Sequence, residues 1–186
     1  LDRAVHIADQ LAAGDRLGRW RTERDRIRDS ILHEGWSDKA KAFTQSFGSD
    51  DLDASALMIP IVGLLPGDDP RVGATIDAIR ERLGDEHGLV RRYVNDDDLG
   101  GREASFGICT YWLAHAQALG GDVDAAAGTF EAITGFANDV GLLAEEVDGS
   151  SGQQLGNFPQ AFTHIGLVNA ANAIAEARRG RTGADD

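Results

Sequence analysis

The 186-residue sequence predicts an all-α domain of helical hairpins with long loops at one rim, and three observations carry that expectation. Apolar residues recur at the helical period along most of the chain. Three long segments, Trp36–Asp51, Gly84–Arg102 and Val140–Asn157, interrupt the pattern after every second helix. Other joins are short and polar, as at Gly120-Gly121-Asp122. Hairpins connected in this way build an α/α toroid or a helical array, and a toroid gathers the long loops at one rim. No repeat of fixed period accompanies them.

The elements follow in order. Leu1–Ala13 places Val5, Ala8 and Ala12 beside Leu1, Ala4, Ile7 and Leu11 on one flank. Trp20–His33 carries Trp20, Ile27 and Ile31 between charges. Leu52–Leu65 is apolar almost throughout, which predicts a helix covered on both faces, with Pro60 kinking or restarting it. Asp69-Pro70 opens the next helix, whose stripe is Val72, Ile76, Ile79 and Leu83. Glu103–Leu119, Val123–Asn138 and Pro159–Arg179 complete the set. Phe43–Phe47 and Leu89–Tyr93 read as short extended pieces, and residues 180–186 as a disordered tail after a domain spanning 1–179.

Charge and composition exclude several functions. With 18 basic and 31 acidic residues the net charge is -13, which disfavours nucleic acid and anionic membranes as partners. No run approaches the length of a membrane span. Cys109 is the single cysteine, so no intrachain disulfide forms, and its apolar surroundings read as a buried core thiol. The expected setting is cytoplasmic. His6, His33, His87, His115 and His164 are scattered without metal-ligand spacing, and no phosphate loop or dinucleotide fingerprint is present, so neither a metal nor a cofactor is expected. The chain opens at Leu1 in mid-pattern without Met, and is read as a piece of a longer polypeptide.

Three groups of residues bear chemistry. Glu145 and Glu146 follow Leu142-Leu143-Ala144 and precede a Gly/Ser loop and Asn157-Phe158-Pro159-Gln160. At a helix-to-loop junction fenced by apolar residues, such a pair suits general acid/base work or is a solvated acidic helix end. Only one of two adjacent helical side chains faces a given pocket. Arg92-Tyr93, with Asp96–Asp98 and Glu103, offers a forked donor and a flat ring for a sugar, or forms a surface ion-pair network. Trp36, Gln45, Phe47, Asp50 and Asp53 supply either stacking surfaces or hairpin core, with Asp50 or Asp51 capping the helix that follows.

Taken together, the segments FTQSFGSDDLDASALMIPIVGLLPGDDPRV, GLVRRY, GREASFGICTYWLAHA, GLLAEEVD and LGNFPQAFTHIGLV resemble bacterial glycoside hydrolase family 15, the glucoamylase, glucodextranase and trehalase group. The resemblance covers most of residues 36–168 in the family's order. It implies part of an (α/α)6 barrel that hydrolyses terminal α-glucosidic bonds, trehalose among them, with inversion. It gives Glu145 the role of general base, with Glu146 as fallback, and makes Arg92 and Tyr93 holders of glucose at the cleavage point. Glu103 and Trp36 become substrate-lining residues, although Ala104 stands where relatives often carry Gly. The general acid lies upstream of the segment LDRAV and so outside this chain. The isolated chain is expected to be inactive, to need the missing N-terminal part, and to self-associate as a homo-oligomer without it. The rival reading is a non-catalytic helical module that binds a sugar or a protein.

Overall fold

In a computed structural model, which describes residues 1–8, 10, 14–94 and 104–182, the chain is mostly helical. The helices are α1 (Asp2–His6), α2 (Gly14–Glu34), α3 (Met58–Ile61), α4 (Pro70–Leu83), α5 (Gly107–Leu119), α6 (Val123–Thr134) and α7 (Ala161–Thr182). Two small antiparallel sheets sit among the loops. In one, β1 (Trp36–Ser37) pairs with β2 (Ala42–Phe43). In the other, β4 (Glu146–Val147) lies between β3 (Ser105–Phe106) and β5 (Gln154–Leu155).

Helix α4 follows its sequence closely. The Asp69 carboxylate accepts the Arg71 N–H at 2.9 Å, Pro70 occupies the first turn, and Val72, Ile76, Ile79 and Leu83 are buried. Helix α5 is the hub. Cys109, Leu113 and Ala116 face the core shared with α4 and β2, Tyr111 and Ala114 face α6 and α7, and Ala118 joins a third cluster with Val123 and Ile174. A helix apolar on every side belongs inside, and each fully buried leucine-sized side chain contributes about 1.5–3 kcal/mol. Helices α5 and α7 approach closely at Gly166, where an added Cβ would stand 3.0 Å from Tyr111 Cβ.

The molecule has two unlike ends. At the rim, α4 ends, α5 and α7 begin, and the three-stranded sheet forms, while the β1–β2 hairpin packs on the first half of α4 through Phe43. At the other end the joins are tight: Gly67 packs its backbone on the Leu119 carbonyl, and Asp122 caps α6 by accepting the Ala125 N–H at 3.1 Å. There Arg181 Nη2 also donates to the Gly121 carbonyl at 2.7 Å.

Several expectations change. Leu52–Leu65 is not one helix but a 3-10 turn, Ala54–Leu57, followed by the four-residue α3, and Val62 is 60 % exposed. Asp53 rather than Asp50 or Asp51 caps it, accepting the Ser55 N–H at 2.7 Å. Asp50 instead takes Ser37 Oγ and Lys39 Nζ, each at 2.6 Å, and this pairing holds its carboxyl below the ordinary range. The predicted start of α5 at Glu103 moves to Gly107, because Ser105 and Phe106 are drawn into a sheet. Helix α6 stops at Thr134 rather than Asn138. Helix α7 runs through Gly180 to Thr182, into the segment read as a tail.

Candidate active site at the rim

Glu145 does not end a helix. The stretch from Phe136 to Glu145 is a loop that bends at Glu145, and Glu146 begins β4. The sequence pointed to a helix end because Leu142–Ala144 looks like a helical stripe. Leu143 and Ala144 are indeed buried, Leu143 in a cluster with α5, α6, α7 and β4 rather than along a helix.

Side chains from distant positions fix this loop. Gln154 Nε2 donates to the Phe136 and Leu142 carbonyls at 3.1 and 3.3 Å, while its Oε1 accepts the Ala144 N–H. Thr163 Oγ1 donates to the Ala144 carbonyl at 3.0 Å. His164 Nδ1 lies 2.8 Å from the Gln160 carbonyl, so it carries the proton there and Nε2 receives the Leu143 N–H at 3.4 Å. Sequence reasoning missed Gln154 and Thr163, since nothing local marks a polar side chain as a staple for a loop ten or more residues away.

The Glu145 backbone is tied on both sides. Its N–H donates to the Asn157 carbonyl at 2.9 Å, and its carbonyl accepts the Gly107 N–H at 2.9 Å. Its carboxylate Oε2 accepts Asn157 Nδ2 at 2.9 Å and the Asn157 N–H at 3.2 Å. No donor from a described residue reaches Oε1. Gly156 makes room for this arrangement: its φ is +73°, and a Cβ there would stand 2.9 Å from Oε2. The result is a half-buried carboxylate, oriented through one oxygen and open at the other.

Arg92 and Tyr93 lie on a neighbouring piece of backbone. Phe106 donates its N–H to the Val90 carbonyl at 3.0 Å and pairs with Glu146 in the sheet, so β3 lies between the 89–92 segment and the Glu145 segment. Asp85 steadies the turn before them, accepting the Leu89 N–H and Ser105 Oγ, both at 2.9 Å. The Arg92 guanidinium is half exposed, sits 6.0 Å over the Tyr93 ring, and has Nε 3.5 Å from Asp53 Oδ2. The structure therefore joins Arg92, Tyr93 and Asp53 in one group and Glu145 with Asn157 in another, on segments separated by β3. Glu103 and the acidic run Asp96–Asp98 lie outside the described residues.

Trp36 packs edge-on against Phe43, with ring centroids 5.4 Å apart, and donates Nε1–H to Asp38 at 3.1 Å. Its ring thus serves the β1–β2 hairpin. Phe47 is exposed. Cys109 is buried, and burial foremost, with the Asp53 charge behind it, pushes its thiol up to about 12. Such a thiol is no nucleophile near neutral pH. Among the described residues no group of three His, Cys, Asp or Glu is placed to hold a metal ion. No described helix is long and apolar enough to cross a membrane.

The profile of glycosyl hydrolases family 15 matches residues 1–172. A trehalase from Mycobacterium tuberculosis is 42 % identical over 180 residues, which cover 95 % of this chain and 26 % of that protein. A trehalase from Thermoplasma volcanium is 34 % identical over 97 % of this chain and 29 % of its own length. The chain thus spans between a quarter and a third of these relatives. Among solved structures, a wild-type glycosidase superposes with a TM-score of 0.76 at 24 % identity, covering 92 % of this chain and 48 % of that one. A glutamate-to-alanine variant of a glycosidase, in complex with glucose, superposes equally well at 23 % identity.

Proposed function

The chain belongs to glycosyl hydrolases family 15, and from that premise we propose that it forms the C-terminal part of the catalytic barrel of an enzyme that hydrolyses a terminal α-glucosidic bond with inversion, Glu145 acting as the general base. The observation that carries the reading is the Glu145 carboxylate, held through Oε2 by Asn157 with Oε1 left open at the rim.

In that reading a water beside Oε1 attacks the anomeric carbon from the face opposite the leaving group and gives its proton to Glu145. The C–O bond to the departing sugar breaks as a general acid protonates its oxygen. Inversion needs about 6.5–9.5 Å between the two carboxyl groups, to leave room for the water. The acid is supplied by the part of the polypeptide outside this chain. Glu146, the first residue of β4, is the fallback base. Arg92 and Tyr93 hold the glucose at the cleavage point, with Glu103 and Trp36 lining the approach.

Trehalose is the proposed substrate, supported by relatives that bear the name trehalase at 34 % to 42 % identity. The rest of the polypeptide also supplies cover for the exposed apolar stripe of Phe162, Ile165 and Val168 on α7. A cytoplasmic setting fits the single buried cysteine.

The protein expressed from its complete reading frame tests this directly. Glucose release is compared on trehalose, maltose and isomaltose, and the first products are followed by proton NMR. Inversion of trehalose yields one β-glucose and one α-glucose before mutarotation; two α-glucose molecules would overturn the mechanism.

A further inference from the structure

Asp53 is a buried acid that the reaction as proposed leaves without a part. Its side chain is only 10 % exposed, and a carboxylate taken that far from water requires compensation from its surroundings. One oxygen has an ordinary explanation, since Oδ1 accepts the Ser55 N–H at 2.7 Å and caps the 3-10 turn. A cap, however, needs neither a second oxygen nor a charge; Asn and Ser serve as well. The second oxygen, Oδ2, faces Arg92, 3.5 Å from Nε.

The same short segment also holds Arg92 by its backbone. The Ala54 N–H donates to the Arg92 carbonyl at 2.7 Å. Main chain and guanidinium of one arginine are thus tied to two consecutive residues, 53 and 54. Arginine is long and half exposed here, so without such ties its head group would sample many rotamers. Contact through Nε leaves the two terminal nitrogens, which make no hydrogen bond among the described residues, for the hydroxyl pair of a sugar. The thiol of Cys109, beside Asp53, stays protonated and adds no charge.

We propose that Asp53 is the positioning residue for Arg92, fixing the guanidinium in the orientation that receives glucose. This rests on the reading of Arg92 as a glucose-holding residue. Asp53 itself touches no substrate.

The test is a double-mutant cycle of Asp53→Asn, Arg92→Ala and the pair together, in the protein expressed from its complete reading frame, with kcat, KM and Tm measured on trehalose. Asparagine keeps the cap and the volume and removes only the charge. The expected loss in kcat/KM for Asp53→Asn is roughly 10- to 100-fold, the scale for a misplaced binding group. Its split between kcat and KM should match that of Arg92→Ala, and the double variant should be no worse than Arg92→Ala alone. Losses that multiply in the double variant, or wild-type kcat/KM in Asp53→Asn, would overturn the positioning role while leaving Arg92 in place. Wild-type kcat/KM in Arg92→Ala would instead remove the reading of Arg92, and this inference with it. Should Asp53→Asn fold poorly, Asp53→Ser, which also caps, enters the same cycle.

Discussion

The two ends of the helices are made on different principles. At the far end, Gly67 packed on the Leu119 backbone, the Asp122 cap and Arg181 on the Gly121 carbonyl close the joins between helices. At the rim, the chain spends long loops, a three-stranded sheet and side chains as remote as Gln154 and Thr163 to hold one loop and its carboxylate. The contrast lies in what the contacts converge on: the far end ties helix ends to one another, one arginine reaching a carbonyl 60 positions away, whereas the bonds at the rim converge on one loop and the carboxylate it carries. Damage to the far end should therefore appear as lost stability, and damage to the rim as lost turnover.

The largest effect should come from Glu145→Gln. Removing the proposed base is expected to lower kcat of the complete protein about 10²- to 10⁴-fold with Tm unchanged, and Glu146→Gln is the paired control. Wild-type turnover in Glu145→Gln would break the division between the ends at its strongest point. Next comes Gly156→Ala, which forces a side chain into left-handed backbone and against Glu145 Oε2. Here kcat/KM should fall up to about 100-fold, with a smaller loss of stability.

The mirror experiment is Gly67→Ala, whose Cβ would collide with the Leu119 backbone. Its expected cost is about 1–3 kcal/mol in urea unfolding, with kcat per folded molecule unchanged. A selective loss of kcat there would show that the ends are coupled. Asp122→Ala should cost about 1 kcal/mol through its cap, again without kinetic effect.

The smallest effect is a shift in acid unfolding. The Arg71 fork on Asp69 holds that carboxyl below its ordinary value of 3.8. Its contribution is therefore present above 3.8 and is lost as pH falls through the lower folded value. Arg71→Ala should move the acid-unfolding midpoint slightly upward, as followed by circular dichroism.

Legibility in the sequence depends on how local the contacts are. Helix α4 could be read from Asp69-Pro70 and a clean stripe, because its cap, its start and its buried face are all local. Glu145 could be singled out as a residue through the family resemblance. Its setting could not, because an apolar run buried by a sheet and three helices looks in one dimension like a helical stripe. Leu52–Leu65 misled for a related reason. Pro60 and the Asp53 cap favour a turn and a short helix, and apolar content alone does not distinguish those from one continuous helix. The partnership of Asp53 with Arg92 spans 39 positions and left no periodic trace.

The close approach of α5 and α7 at Gly166 has a mechanical consequence. Gly107, at the head of α5, holds the Glu145 carbonyl, and Thr163, on the first turn of α7, holds the carbonyl before it. The carboxylate therefore rides on a bridge whose two piers are these helices. A methyl group at position 166 would act as a shim between the piers, spreading them by a fraction of an ångström while leaving every rim residue chemically intact. The position of the Glu145 carboxylate is thus adjustable from inside the core, at the buried Gly166.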